Sequence, residues 1–311
     1  MKYRHALPQL AGKQMITDGG LETTLVFHEG IELPLFAAFK ALETDAGLRA
    51  MDVYMQRYAR LATDEQRGFV MDTPTWRASA RWATELGLSQ DDLREIHREA
   101  IVTLARLRDA RETPASPFVI NGVLGPQDDG YAPSRLLTVA QAAAYHKQQI
   151  GWFAEFGADM VSAATLTYSA EAIGIVIAAR DINIPVSISF TLETDGLLPS
   201  GETLRDAIAA VDRATDSYPA YFMINCAHPD HFAHVLEGEW TTRIMGLRAN
   251  ASRMSHAELD ACETLDDGNP VELGQLYAGL SDVLPNLTVM GGCCGTDHRH
   301  VAEICQATRA A

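Results

Sequence analysis

The sequence predicts a (β/α)8 barrel, a single α/β domain spanning residues 1–311, and three observations point there. Short β-rich apolar runs alternate with longer stretches of helical periodicity, and eight such runs can be counted. A length of 311 residues, 47% of them hydrophobic, exceeds most single domains except α/β barrels. No composition break, low-complexity linker or internal repeat marks a second domain. A doubly wound sheet is the competing arrangement.

The first run, Gln14 to Asp18, ends at Gly19-Gly20, where glycines free the chain to turn. A helical segment, Asp45 to Arg67, leads to the second run, Gly68 to Asp72, which is closed by Thr73-Pro74. Ser89 to Arg111 is the next helix, and Pro117 to Gly122 the third run, with Gly125-Pro126 beyond it. Val139 to Phe156 then precedes the fourth run, Asp159 to Ala164. Ser169 opens a helix to Arg180 with a capping residue, and Pro185 to Thr191 is the fifth run. Gly201 to Asp216 follows, then the sixth run, Ala220 to Asn225, stopped by Cys226-Ala227-His228-Pro229. The seventh run is Arg243 to Arg248. Pro270 opens a helix to Val283 with the fixed φ that suits a first turn. Asn286 to Gly291 is the eighth run, and Thr296 to Arg309 closes the chain as a helix.

Charge and cysteine usage narrow the function. A formal net charge of -16 with no Lys/Arg-rich run argues against nucleic acid, whose phosphates need basic patches. It suits a cationic or zwitterionic small ligand. The N-terminus carries no apolar signal region, and no segment is apolar long enough to cross a bilayer, so a cytoplasmic location is expected. Five cysteines are too few and too odd for a disulfide framework, which favours reduced thiols that bind metal or react.

The most informative motif is Gly291-Gly292-Cys293-Cys294-Gly295-Thr296. Adjacent cysteines form a strained disulfide with one another, because the bridge needs Cα atoms farther apart than one peptide link comfortably gives. Two thiolates freed by flanking glycines are instead suited to a soft or borderline metal such as zinc. Cys226, which also follows an apolar run, is the best candidate for a third ligand. Taken alone, the Cys293-Cys294 pair is also compatible with two buried free thiols. In a closed barrel the ends of the first, second, third, sixth and eighth runs face one mouth, which brings Asp18, Gly19, Asp72, Thr73, Trp76 and Asn225 near the three cysteines. Cys262 and Cys305 read as packing residues. His228, His231 and His234 have the spacing of an exposed helix face.

These residues identify a resemblance to the homocysteine S-methyltransferase family, which includes the betaine- and S-methylmethionine-dependent enzymes and the homocysteine module of cobalamin-dependent methionine synthase. The chain resembles it nearly throughout, at Asp18-Gly19-Gly20-Leu21-Glu22-Thr23-Thr24-Leu25, Gly125-Pro126, Ser200-Gly201-Glu202-Thr203-Leu204, Asn225-Cys226 and, most specifically, the Cys293-Cys294 motif. The resemblance implies a (β/α)8 barrel, zinc on Cys226, Cys293 and Cys294, and a role for Asp18 and Gly19 in holding the acceptor's amino-acid part. It implies an enzyme of the EC 2.1.1 class that moves a methyl group from an onium donor to homocysteine or a related small thiol or selenol.

The chemistry is coherent. A free thiol has a pKa near ~8.5 and is mostly protonated at neutral pH, and three thiolates on zinc leave a fourth position where an acceptor thiol can lose its proton and attack the methyl. A cationic donor is attracted to aromatic faces, with Trp76, Tyr131 and Tyr168 the candidates at the mouth.

The chain departs from the family at three places. Ala164 stands where the family commonly has a glutamate for the acceptor's ammonium group, Asp72-Thr73-Pro74-Thr75 replaces Glu-Thr-Asn-Thr, and Ala249-Asn250 replaces Pro-Asn. Asp72 and Glu193 are the candidates to take over the ammonium group. Other readings are an acceptor module served by a corrinoid protein partner, a non-catalytic zinc- or thiol-binding barrel, and a zinc hydrolase with Asp72 or His228 as base. The partners expected are small molecules, with no nucleic acid and no membrane, and a homo-oligomer stays open.

Overall fold

A computed structural model describes residues 1–262 and 264–309. Eight parallel strands close on one another in the order β1 to β8, the closure being made by β1 pairing with β8 at Met15 with Val289 and Ile16 with Met290. The strands are β1 (Met15–Ile16), β2 (Gly68–Asp72), β3 (Phe118–Leu124), β4 (Met160–Leu166), β5 (Val186–Phe190), β6 (Tyr221–Asn225), β7 (Ile244–Ala249) and β8 (Val289–Gly292). The barrel expected from the sequence is therefore the one found, and each expected run contains or overlaps one strand. Their near-continuous burial follows from helices covering one face of the sheet while side chains fill the other.

Six of the seven crossovers carry the expected helices, among them Asp45–Asp64, Gln90–Arg111, Val139–Phe156 and Ser169–Ile182, and the last expected helix follows β8 as His298–Ala307. Thr44, Ser89 and Thr138 cap the first three through their side-chain oxygens. The crossover after β6 is different. It holds one helical turn, Pro229–Phe232, and two 3-10 segments, Ala233–Val235 and Glu239–Arg243. The three histidines there do not form an exposed face. His228 is buried and accepts a hydrogen bond from Asp230 N at Nδ1, while His231 is buried and donates from Nε2 to the Arg253 carbonyl at 2.8 Å. Proline at the first position and the following 3-10 turn keep a longer helical face from forming.

The main core lies between strands and helices, where Ile120, Phe153, Val161, Ile175, Ile188 and Ile224 are fully buried. A second cluster, including Met15, Val70, Val119, Met160, Tyr221, Met223 and Val289, fills the inside of the barrel. The N-terminal segment stops its lower end. Gln9, in the 3-10 turn Pro8–Ala11, reaches Tyr221 Oη at 3.3 Å, and buried Asp159 accepts the backbone N–H groups of Lys2 and Tyr3 as well as Arg108 Nη1. Gly291 and Gly292 lie so close to Thr17 and Thr296 that any Cβ would collide with them, which explains why β8 ends in glycine. No helix among the described residues is long and apolar enough to cross a membrane.

Candidate metal centre

The loops that follow β6 and β8 bring three cysteines to the C-terminal mouth of the barrel. The sulfur atoms of Cys226, Cys293 and Cys294 all lie within 4.8 Å of one another. Those of Cys226 and Cys293 are joined as a disulfide, with Cα atoms 5.5 Å apart, and Cys294 is a free thiol. Sulfurs placed in this way are linked when oxidised and can share one soft cation when reduced.

Backbone geometry aims each sulfur. Cys226 takes a left-handed conformation, with φ 55°, that turns its side chain out of the strand direction. Its N–H donates to the Arg248 carbonyl, and its own carbonyl accepts His256 Nε2 at 2.6 Å. Asn225 Nδ2 donates to Cys226 Sγ at 3.3 Å and to Thr165 Oγ1 at 2.8 Å, while its Oδ1 accepts Thr165 N and Ser189 Oγ. Cys293 N donates to the Ala249 carbonyl, and Cys294 N to Asn250 Oδ1. Asn250, the surviving half of the family's Pro-Asn, thus fixes the double-cysteine turn. Such second-layer hydrogen bonds hold ligands in place and moderate the charge on sulfur.

The donor set fits a thiophilic ion. Burial pushes the Cys294 thiol up to about 11, and the nearby Glu22 carboxylate adds to this. A lone thiolate is therefore disfavoured there, and a divalent cation is the group that reverses the preference. Tyr131 Oη lies 4.0 Å from Cys294 Sγ, and its ring meets the His256 ring at 4.5 Å between centroids.

A cavity of about 110 Å³ opens beside the cysteines. Asp18, Gly19, Asp72, Thr73, Trp76 and Asn225 line it, together with Ala164. Asn225 mainly ties the ends of β4, β5 and β6 together, as its four bonds show. Two of the sequence candidates lie elsewhere. Tyr168 is buried beside the fourth strand end, its hydroxyl accepting Leu137 N at 2.8 Å, and Glu193 turns toward His256 Nδ1 at 3.4 Å. Each is drawn off by its own loop, the first by the helix it precedes and the second by the tight turn closed by Gly196 N on the Glu193 carbonyl.

Arg248, at the end of β7, is a cavity residue that the sequence reasoning missed. Its guanidinium bridges Asp18 and Asp72, donates to the Gly19 carbonyl from Nη2 and to the Gly292 carbonyl from Nε, and so joins the ends of β1, β2, β7 and β8. A charged residue interrupting an apolar strand was the available signal. Burial pushes the Asp18 carboxyl above the usual carboxylate range, with Arg248 opposing it, and Tyr54 Oη donates to Asp18 Oδ2 at 3.0 Å. Asp72 also accepts Asn121 Nδ2 at 2.7 Å. Glu22, also overlooked, lines the same cavity.

Comparison with known proteins adds three findings. The sequence profile of a family described as homocysteine S-methyltransferase matches residues 15–308. A methionine synthase of Mycobacterium leprae (strain TN) is 24% identical over 324 residues, which cover 97% of this chain and 25% of that protein, so the chain spans about a quarter of its curated relative's length. Among solved structures, the homocysteine methyltransferase MmuM from Escherichia coli is similar in its oxidized form, with a TM-score of 0.73 at 18% identity over 96% of this chain and 98% of that one. Its metallated form gives 0.71 at 16% identity over 97% and 99%. At those identities the structural likeness bears on the fold.

Proposed function

The chain belongs to the homocysteine S-methyltransferase family, and from that premise we propose that it moves a methyl group from a small onium donor to homocysteine or a related small thiol or selenol. The observation that carries this reading is the convergence of three cysteine sulfurs within 4.8 Å, at the mouth of a barrel and beside a cavity. Cys226, Cys293 and Cys294 in their reduced form would hold Zn2+, which supplies a Lewis acid that favours the thiolate form of an acceptor. The metallated form known for the Escherichia coli relative supports that assignment.

The remaining work falls to the protein's own groups. Asp18 and Asp72 carry acceptor lone pairs at the cavity wall and are held in place by Arg248, so an acceptor's ammonium group can pair with either. Asp72 is therefore better placed than Glu193 to offset the missing carboxylate at Ala164. Trp76 and Tyr131 offer faces to a cationic donor. In the transfer, the donor's bond to its methyl carbon breaks and the electron pair stays with the departing sulfur or nitrogen, which becomes neutral. A new carbon–sulfur bond forms on the acceptor, whose thiol proton passes to solvent. Alignment of the two reactants supplies much of the acceleration.

A second reading, an acceptor module methylated by a corrinoid protein, is kept because the curated relative is a methionine synthase of which this chain matches a quarter. The deciding experiment is metal analysis of reduced protein, followed by incubation with homocysteine and each of S-methylmethionine, S-adenosylmethionine and betaine. Methionine detected by mass with at least one donor is the expected result. Zinc binding without product from any donor would transfer support to the second reading.

A further inference from the structure

Glu22 sits in the short helix Leu21–Thr23 that follows the Gly19-Gly20 turn, and it lines the cavity with Phe36, Trp76, Tyr131 and Cys294. Its carboxylate makes no side-chain hydrogen bond and no ion pair with any of the described residues. The other cavity carboxylates are engaged, Asp18 by Arg248 and Tyr54 and Asp72 by Arg248 and Asn121. Arg77 makes no ion pair with Glu22; its guanidinium donates to the Leu35 carbonyl, pairs with Asp129 and lies over the rings of Trp82 and Trp76, at 3.9 and 5.1 Å from their centres. Burial pushes the Glu22 carboxyl above the usual carboxylate range, with its own backbone N–H, Arg248 and Arg77 opposing it, so a cation arriving beside it favours the charged form, and Phe36, Trp76 and Tyr131 line the cavity with it.

We propose that Glu22 recognises the positive charge of the methyl donor, a sulfonium or quaternary ammonium group packed against Trp76, Tyr131 and Phe36, and so makes the site specific for charged over neutral donors. This rests on the onium-dependent methyl transfer proposed above. An onium centre without N–H or S–H groups can be held only by charge and by aromatic faces, and this wall supplies both. The assignment to the donor, rather than to the acceptor's ammonium group, follows from the partners of each carboxylate. Asp18 and Asp72 are fixed by Arg248, Tyr54 and Asn121 in a hydrogen-bonding network suited to an ammonium group, whereas Glu22 has no ion-pair partner among the described residues and lines the cavity together with the aromatic rings of Phe36, Trp76 and Tyr131.

The proposal has a kinetic signature. The donor loses its positive charge as the methyl leaves, so attraction to Glu22 is strongest in the ground state and weakens toward the transition state. Such a contact lowers the donor's KM without raising kcat, and it releases the neutral by-product.

The test compares zinc-loaded wild type with Glu22→Gln, which keeps shape and removes charge, and with Glu22→Asp. The result expected is a rise of about tenfold in donor KM for Glu22→Gln, with homocysteine KM unchanged, metal content unchanged and kcat within about threefold, and a smaller rise for Glu22→Asp. An unchanged donor KM, or a rise confined to the homocysteine KM, overturns the proposal. If wild type transfers methyl from no onium donor, the function proposed above fails, and Glu22 is then judged by titrating trimethylsulfonium against tryptophan fluorescence. Binding that weakens about tenfold in Glu22→Gln upholds the charge-recognition site, and equal or absent binding in both proteins overturns it.

Discussion

At the scale of single residues, the site rests on side chains whose removal should have separable effects. Cys294 is the one cysteine of the three that is a free thiol, and it sits in a loop beyond β8 rather than in the packed layers. Cys294→Ser is expected to lose bound zinc and at least about a hundredfold of activity while leaving far-UV circular dichroism unchanged. A variant that kept full metal content would remove Cys294 from the ligand set. Arg248 should behave differently, because it joins four strand ends. Arg248→Met leaves Asp18 and Asp72 buried without their partner, a change that costs about 3–5 kcal/mol when a buried pair is broken. A marked fall in the thermal midpoint measures it, and an unchanged midpoint would show that the bridge is dispensable. Residue identity was legible where chemistry is rare in sequence. The doubled cysteine could hardly be missed, whereas Arg248 and Glu22 were overlooked because single charges near strand ends look like ordinary solvated groups until the fold turns them inward. Tyr168 and Glu193 lie outside the cavity lining for the opposite reason, since position after a strand does not say which way a loop points.

At the scale of elements, the loop after β3 carries Tyr131 over the cysteines and is organised by one carboxylate. Asp128 accepts Ser134 N and Oγ, Arg135 N, Asp129 N and the Arg81 guanidinium. Burial opposes ionisation there, but the bonds from Ser134 and Arg81 outweigh it and bring the carboxyl down to about 2 from an ordinary 3.8. A group depressed on folding stabilises the folded form above its unfolded value, and that contribution is lost as the pH falls from about 3.8 through about 2. Asp128→Asn should remove this pH dependence and speed amide hydrogen exchange across 127–136 at neutral pH, leaving the strands protected. Uniform exchange in variant and wild type would show that the loop holds itself. Strand and helix positions were legible here because burial on both faces writes apolar runs into the sequence and caps write Ser, Thr and Pro at helix starts. The crossover after β6 was not, because a histidine-rich segment with helical spacing folded into a single turn and two 3-10 pieces around buried rings.

At the scale of the molecule, the closed sheet and its two apolar clusters stand apart from the candidate metal centre. The cysteines lie beyond the strand ends, while Phe118, Phe190, Phe222 and their neighbours fill the layers beneath. Stripping zinc with a chelator under reducing conditions should therefore abolish methyl transfer, lower the thermal midpoint modestly and leave a cooperative unfolding transition. Collapse to an unfolded chain on chelation would instead make the ion part of the scaffold. The fold was legible from the sequence as a whole because alternation repeated eight times admits few topologies.

The stopper formed by Pro8–Ala11 and the latch on Asp159 has a consequence for traffic. With the lower end of the barrel plugged by these contacts, the cavity beside the cysteines is entered from the strands' C-terminal side. For the transfer proposed above, this predicts an ordered sequence in which the acceptor binds before the donor. Product-inhibition kinetics that fit random binding would count against it.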